Sequence, residues 1–117
     1  MSRDKGNRTV NKAIDYYENQ GYIVDRVELG GRFTKSKDLF SSDHFGGFDL
    51  VALKPGTLLL IQVKTNTPAT HGPYEEFAKK YSSRNIQVIQ CVWYDRRGWV
   101  FYRYNKTGGY RRTDLRT

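Results

Sequence analysis

Residues 48–65 read FDLVALKPGTLLLIQVKT, two apolar runs on either side of Pro55-Gly56. Proline pre-sets φ for the first central position of a tight turn, and glycine accepts positive φ at the second. Apolar runs bounded by such a turn read as the two strands of a β-hairpin. With Pro55 and Gly56 central, Lys54 faces Thr57, and counting outward sets Asp49 opposite Gln62. Directly paired residues share a face with Cβ atoms roughly 4.5–5.5 Å apart. Lys64 lies two residues beyond Gln62 and shares its face. A carboxylate, an amide and an ammonium thus converge on strands that are otherwise apolar. A slip of one residue would put Asp49 and Gln62 on opposite faces, so the grouping depends on the turn.

The three side chains have a chemistry in common. A carboxylate and a carbonyl oxygen are hard donors suited to Mg²⁺, which keeps several waters and bridges to phosphate. A neighbouring lysine can orient a water or offset charge growing on the phosphate. Each residue also has a structural role open to it: Asp49 could end a loop, Gln62 could bond a neighbour, and Lys64 could extend its ammonium to solvent. Their convergence beside an apolar partner face favours a site.

Around the hairpin, Val10, Ala13, Ile14 and Tyr17 recur at helical spacing, which predicts an amphipathic helix over 7–20 closed by Gly21. YIVDRVEL (22–29) predicts a strand. GGRFTKSKDLFSSDHFGG (30–47) has glycine pairs at both ends and no steady period, the mark of a functional loop. Pro73 suits the first turn of a helix in which Tyr74, Phe77, Ala78 and Tyr81 line one side. IQVIQCVWY (86–94) and WVFYRY (99–104) predict two more strands around a DRRG turn. The expected fold class is α/β, in the order α-β-β-β-α-β-β, with a mixed sheet of about five strands. The first three strands form an antiparallel meander, and the second helix crosses over to the fourth. One domain over 1–117 is expected, with 1–6 and 105–117 as flexible basic tails.

The 20 Lys and Arg against 12 Asp and Glu give a net charge of +8, which suits a polyanionic partner, nucleic acid first. No apolar segment is long enough to span a membrane, and the first ten residues lack the apolar core of a secretory signal. The single cysteine, Cys91, permits no internal disulfide and no cysteine zinc cluster. Together these features predict an intracellular, cytoplasmic protein that is not membrane-bound.

Asp49, twelve intervening residues, then Gln62-Val63-Lys64 resembles the PD-(D/E)XK nuclease signature. Within that superfamily, GFDLVALKPGTLLLIQVKT is similar to the strand–turn–strand segment of the archaeal-type Holliday junction resolvases. The helix ending at Gly21-Tyr22 and the later FAKKY helix fall in matching order, so the likeness covers roughly 6–104. It implies a restriction-endonuclease-like sheet and Mg²⁺ (or Mn²⁺) held by Asp49, by Gln62 and by the backbone carbonyl of Val63. It also implies that Lys64 is catalytic and that the chain works as a homodimer on branched or duplex DNA.

Three departures stand out. Gln62 is neutral where the family carries an acid, Val10 and Asn11 fall where a first-helix glutamate is usual, and Phe48 replaces a proline. Asp15, Glu28 and Asp43 are candidates to restore the missing charge. Asp43 is preferred, because its loop leads directly into the Asp49 strand.

Arg3, Lys5, Arg8, Arg32, Lys35 and Lys37 flank the site in sequence and are candidate phosphate contacts. The aromatics of 93–104 could stack on bases, line a dimer interface or simply cover the sheet. The resulting expectation is a Mg²⁺-dependent endonuclease acting on DNA phosphodiester bonds, most plausibly in branched DNA. Its rivals are a weakened nuclease-fold module that only binds DNA, and an RNA-binding protein that uses the aromatic strands.

Overall fold

A computed structural model describes residues 2–27 and 48–116, with side chains at 8–27 and 48–115. Glu28, Arg32, Lys35, Lys37 and Asp43 lie outside the described residues, as do the side chains of Arg3 and Lys5. The elements run α1 (Ser2–Asn19), β1 (Ile23–Arg26), β2 (Leu50–Lys54), β3 (Thr57–Thr65), α2 (His71–Tyr81), β4 (Ile86–Tyr94), β5 (Gly98–Tyr104) and β6 (Tyr110–Arg116). Each strand pairs with its neighbours in sequence, giving one six-stranded sheet in the order β1 to β6. Among the described strands only β3 and β4 pair in parallel, and α2 provides their crossover. Among the described residues no helix is long and apolar enough to cross a membrane.

The ends of the chain depart from expectation. Helix α1 begins at Ser2, so most of 1–6 is helical. Residues 110–116 form a sixth strand, paired with β5 from Tyr104↔Tyr110 to Gly98↔Arg116. An edge strand carrying many charges avoids pairing with other chains, and YRRTDLR therefore reads as a solvated tail. Helix α2 starts at His71, so Pro73 lies within the first turn, as its type suits, where backbone N–H groups have no helical partner.

Helix α1 closes as its sequence predicts. Gly21 takes φ 94°, Tyr22 N–H donates to Tyr17 O at 3.1 Å, and Gly21 N–H donates to Glu18 O at 3.0 Å. This is a Schellman closure, completed by edge contact of the Tyr17 and Tyr22 rings at 5.8 Å.

The strands' alternation then sorts two cores. On the α1 face lie Ala13, Tyr17, Val24, Leu50, Ala52, Leu59, Ile61, Val63, Ile89, Cys91 and Trp99. On the α2 face lie Phe48, Leu60, Tyr74, Phe77, Ala78, Val88, Val92, Val100, Tyr102 and Tyr104. Trp93 and Phe101 pack against the first core and Tyr94 against the second. The aromatics of β4 and β5 therefore pack into or against the two cores, with Trp93, Tyr94 and Phe101 half-buried.

Candidate active site

The hairpin register is the one its Pro-Gly turn dictates. Lys54 pairs with Thr57 and the ladder runs out to Leu50↔Ile61, with Gly56 at φ 79°. In β3 the residues flanking Gln62 and Lys64 point into the α1 core while Leu60 points to α2, so Gln62 and Lys64 share the α2 face.

Asp49 differs from the simple expectation. It lies at a bend just before β2 and forms no ladder pair with Gln62. Its own N–H donates to Ile61 O at 2.8 Å, its carbonyl accepts Val27 N–H at 2.9 Å, and its carboxylate turns toward the next peptide of β3. There Val63 N–H donates to Asp49 Oδ2 at 2.8 Å. The side chain takes over the acceptor position that a backbone carbonyl would hold had β2 extended. This fixes the carboxylate beside the Gln62-Val63-Lys64 segment, with the other oxygen free of that bond.

Burial is the main influence on Asp49 and pushes its carboxyl above the usual range. The Val63 N–H, Lys64 and Arg26 pull the other way without cancelling it. Burial likewise raises the Tyr74 hydroxyl and Cys91 thiol, and the Asp49 charge adds to both. Tyr74 belongs to the α2 core and Cys91 to the α1 core, as expected for a carboxylate lying near the plane of the sheet.

A carboxyl with a raised folded-state pKa favours folding while it is protonated. That advantage is lost as pH climbs from the ordinary aspartate value through the folded one. Asp49→Asn, whose amide oxygen can still accept Val63 N–H, should therefore raise Tm at neutral pH. The gain should vanish in acid, as checked by thermal melts across pH.

The surroundings hold this segment in place. Thr65 Oγ1 donates to Thr9 Oγ1 at 2.7 Å, tying α1 to the end of β3 and bringing the exposed Arg8 near it. Val10 packs on the α1 core, and Asn11 Oδ1 accepts a hydrogen bond from Arg26 at 2.7 Å. Asp15 is exposed on α1.

The adjoining strand carries a residue that sequence reasoning missed. Gln90, paired with Gln62 in register, is fully buried. Its Oε1 accepts Ala69 N–H at 2.6 Å and its Nε2 donates to the Tyr104 hydroxyl at 2.7 Å. That hydroxyl also bonds His71 Nδ1 at 2.8 Å. Gln90 thereby anchors the loop that follows Lys64. The available signal was a glutamine at a position whose neighbours two residues away, Val88 and Val92, both face the core.

The Asp49 carboxylate, the Gln62 amide oxygen and the Val63 carbonyl are all hard oxygens, of the kind that would suit Mg²⁺ or Mn²⁺. Among the described residues no three His, Cys, Asp or Glu side chains gather as a metal cluster.

Among solved structures, the chain is similar to Hjc of Archaeoglobus fulgidus, a Holliday junction resolvase from an archaeal hyperthermophile. The TM-score is 0.55 at 19% identity, with 94% of this chain and 84% of that chain covered. The fold is the restriction-endonuclease-like fold. No family model matches the chain, and a search of curated proteins finds no match. The likeness is therefore one of architecture: a mixed sheet flanked by helices.

Proposed function

We propose that the chain is a Mg²⁺-dependent endonuclease that hydrolyses DNA phosphodiester bonds, with branched DNA such as a four-way junction as its preferred substrate. The observation that carries this reading is the Asp49 carboxylate held by Val63 N–H at 2.8 Å, beside Gln62 and Lys64. The shared fold with a junction resolvase supports it. Asp49, the Gln62 side-chain oxygen and the Val63 carbonyl would hold the metal, with Asp43 as a further ligand. Such an ion, when bound, offsets charge on the phosphate and makes water a better nucleophile. Lys64 orients the attacking water and offsets the charge that grows on the phosphate oxygens. Arg8 and the other basic residues flanking the site steer the polyanion by charge. A homodimer would supply the two symmetric cuts that a four-way junction requires.

The neutral Gln62 favours a second reading, a nuclease-fold module that grips DNA without cutting it. One Mg²⁺ titration separates the two. Product from a four-way junction that rises with Mg²⁺ and exceeds that from linear DNA supports the resolvase reading. Salt-sensitive binding with no product at any Mg²⁺ concentration supports the module. Gln62→Glu restores a charge next to the metal position. It should lower the Mg²⁺ needed for half-maximal cleavage by about tenfold or more, since a unit charge a few Å from a cation is worth several kcal/mol even when partly screened.

A further inference from the structure

Beyond the hairpin, the same face of the sheet carries a cleft of about 790 Å³ at the β4–β5 turn and β6. Arg96, Arg97 and Arg112 line it together with Tyr94, Val100 and Asp114. Three cations against one carboxylate leave a net positive opening, and all three arginines are exposed. Arg112 is already aimed: its Nε and Nη2 meet the two oxygens of Asp114 at 2.9 and 3.3 Å, a two-point clasp that fixes the guanidinium plane.

The strand register places this cleft relative to Asp49. Gln62 pairs with Gln90, Gln90 with Tyr102, and Tyr102 with Arg112. Lys64 pairs in the same way through Val92 and Val100 to Asp114. Two adjacent rows on the α2 face therefore join the Gln62–Lys64 pair to the Arg112–Asp114 pair. They span three inter-strand spacings, on the order of 14 Å. That is well inside one turn of duplex, about 34 Å, so a single duplex can reach both places.

The turn is also tied to the end of β3. Asn66, which follows Thr65, donates through Nδ2 to Asp95 Oδ2 at 3.1 Å and accepts Asp95 N–H at 3.0 Å. Its backbone N–H reaches Trp93 O at 2.8 Å. Arg96 itself sits at φ 70°, in a turn closed by Arg97 N–H to Tyr94 O at 3.0 Å. Backbone in this region disfavours every side chain with a Cβ, and glycine is the usual occupant. The long cation there costs stability locally, and the fold gives it no partner among the described residues.

We infer that the Arg96–Arg97–Arg112 cleft is a phosphate-backbone dock for duplex DNA, holding the duplex at a fixed offset from Asp49 and Lys64. The inference rests on the nuclease reading for its substrate and adds the residues that position it. The contacts are with phosphates, so they supply affinity and register without reading sequence.

The test measures binding of a fluorescein-labelled duplex by anisotropy across a salt series in EDTA, alongside Tm and Mg²⁺-dependent cleavage. Arg96→Gly should lower the salt slope by about one and weaken binding while leaving Tm no lower than wild type. Adding Arg97→Ala should lower the slope by about two and weaken binding some ten- to hundredfold near 0.1 M salt. Wild-type slope and affinity in both variants, or no duplex binding by the wild type, would overturn the dock. If the variants lose affinity but the wild type never cleaves, the dock stands and the nuclease reading fails. If the wild type cleaves and the variants bind and cleave equally well, the reverse holds.

Discussion

Alanine at Asp49 is expected to remove Mg²⁺-dependent cleavage, and alanine at Lys64 to slow it on the order of 10²–10³-fold, the usual cost of one preorganised charge-stabilising group. The two losses should differ in kind. Asp49→Ala removes the proposed metal ligand and the acceptor for Val63 N–H together, so added Mg²⁺ should not rescue it. Lys64→Ala leaves the oxygen donors in place, so its Mg²⁺ dependence should persist at a lower ceiling. Neither loss should come from unfolding. Asp49→Ala gives up one hydrogen bond worth about 1 kcal/mol net, but it also removes a carboxylate that burial disfavours. Tm should therefore move little, and single-turnover cleavage beside a thermal melt checks both points.

Gln90→Leu is expected to be the most damaging change to stability near the site. Leucine fills a similar volume but neither accepts the Ala69 N–H nor donates to the Tyr104 hydroxyl, both now bonded within 2.7 Å. Among the described residues no buried side-chain polar atom lacks a partner; after this change the Tyr104 hydroxyl keeps its bond to His71 Nδ1, while the Ala69 N–H loses its acceptor. The N–H left unpaired costs about 1–3 kcal/mol and the lost bond to the Tyr104 hydroxyl about 1 kcal/mol more, giving a total of about 2–4 kcal/mol. For a domain near this size that is roughly 10–20 °C in Tm. The loop at Ala69 would also lose its tie to the sheet. Cleavage should then fall even at temperatures where the variant is folded, which melting curves and low-temperature assays can separate.

Much of the architecture was legible because its signals are local. Pro55-Gly56 sets the register of β2 and β3 by itself, and Gly21 closes α1 through bonds within five residues. Sheet order followed from connection lengths, since every strand pairs with a neighbour in sequence. What escaped the sequence depends on contacts between distant residues. β6 is an edge strand whose charges hide its alternation. The bend that turns Asp49 toward Val63 reflects the end of the β2–β3 ladder, and no residue type announces it. Gln90 reaches partners 21 and 14 positions away.

The basic residues followed the same rule. Proximity in sequence favours cations next to the hairpin, and of those the structure describes only the side chain of Arg8. Arg112 is far from Lys64 in sequence, yet it sits on the same sheet face three strands away, and Arg96 and Arg97 reach it from the β4–β5 turn. Pairing register, which no single segment encodes, brings them there.

The central claim is that Asp49 and Gln62 hold a divalent metal beside Lys64. A crystal soaked in Mn²⁺ and measured for anomalous scattering tests it most directly. A peak is expected about 2.0–2.3 Å from an Asp49 carboxylate oxygen and from Gln62 Oε1, near the octahedral distances of such small hard cations. No peak at Asp49 under saturating Mn²⁺, or a peak that leaves Gln62 out of reach, would contradict it.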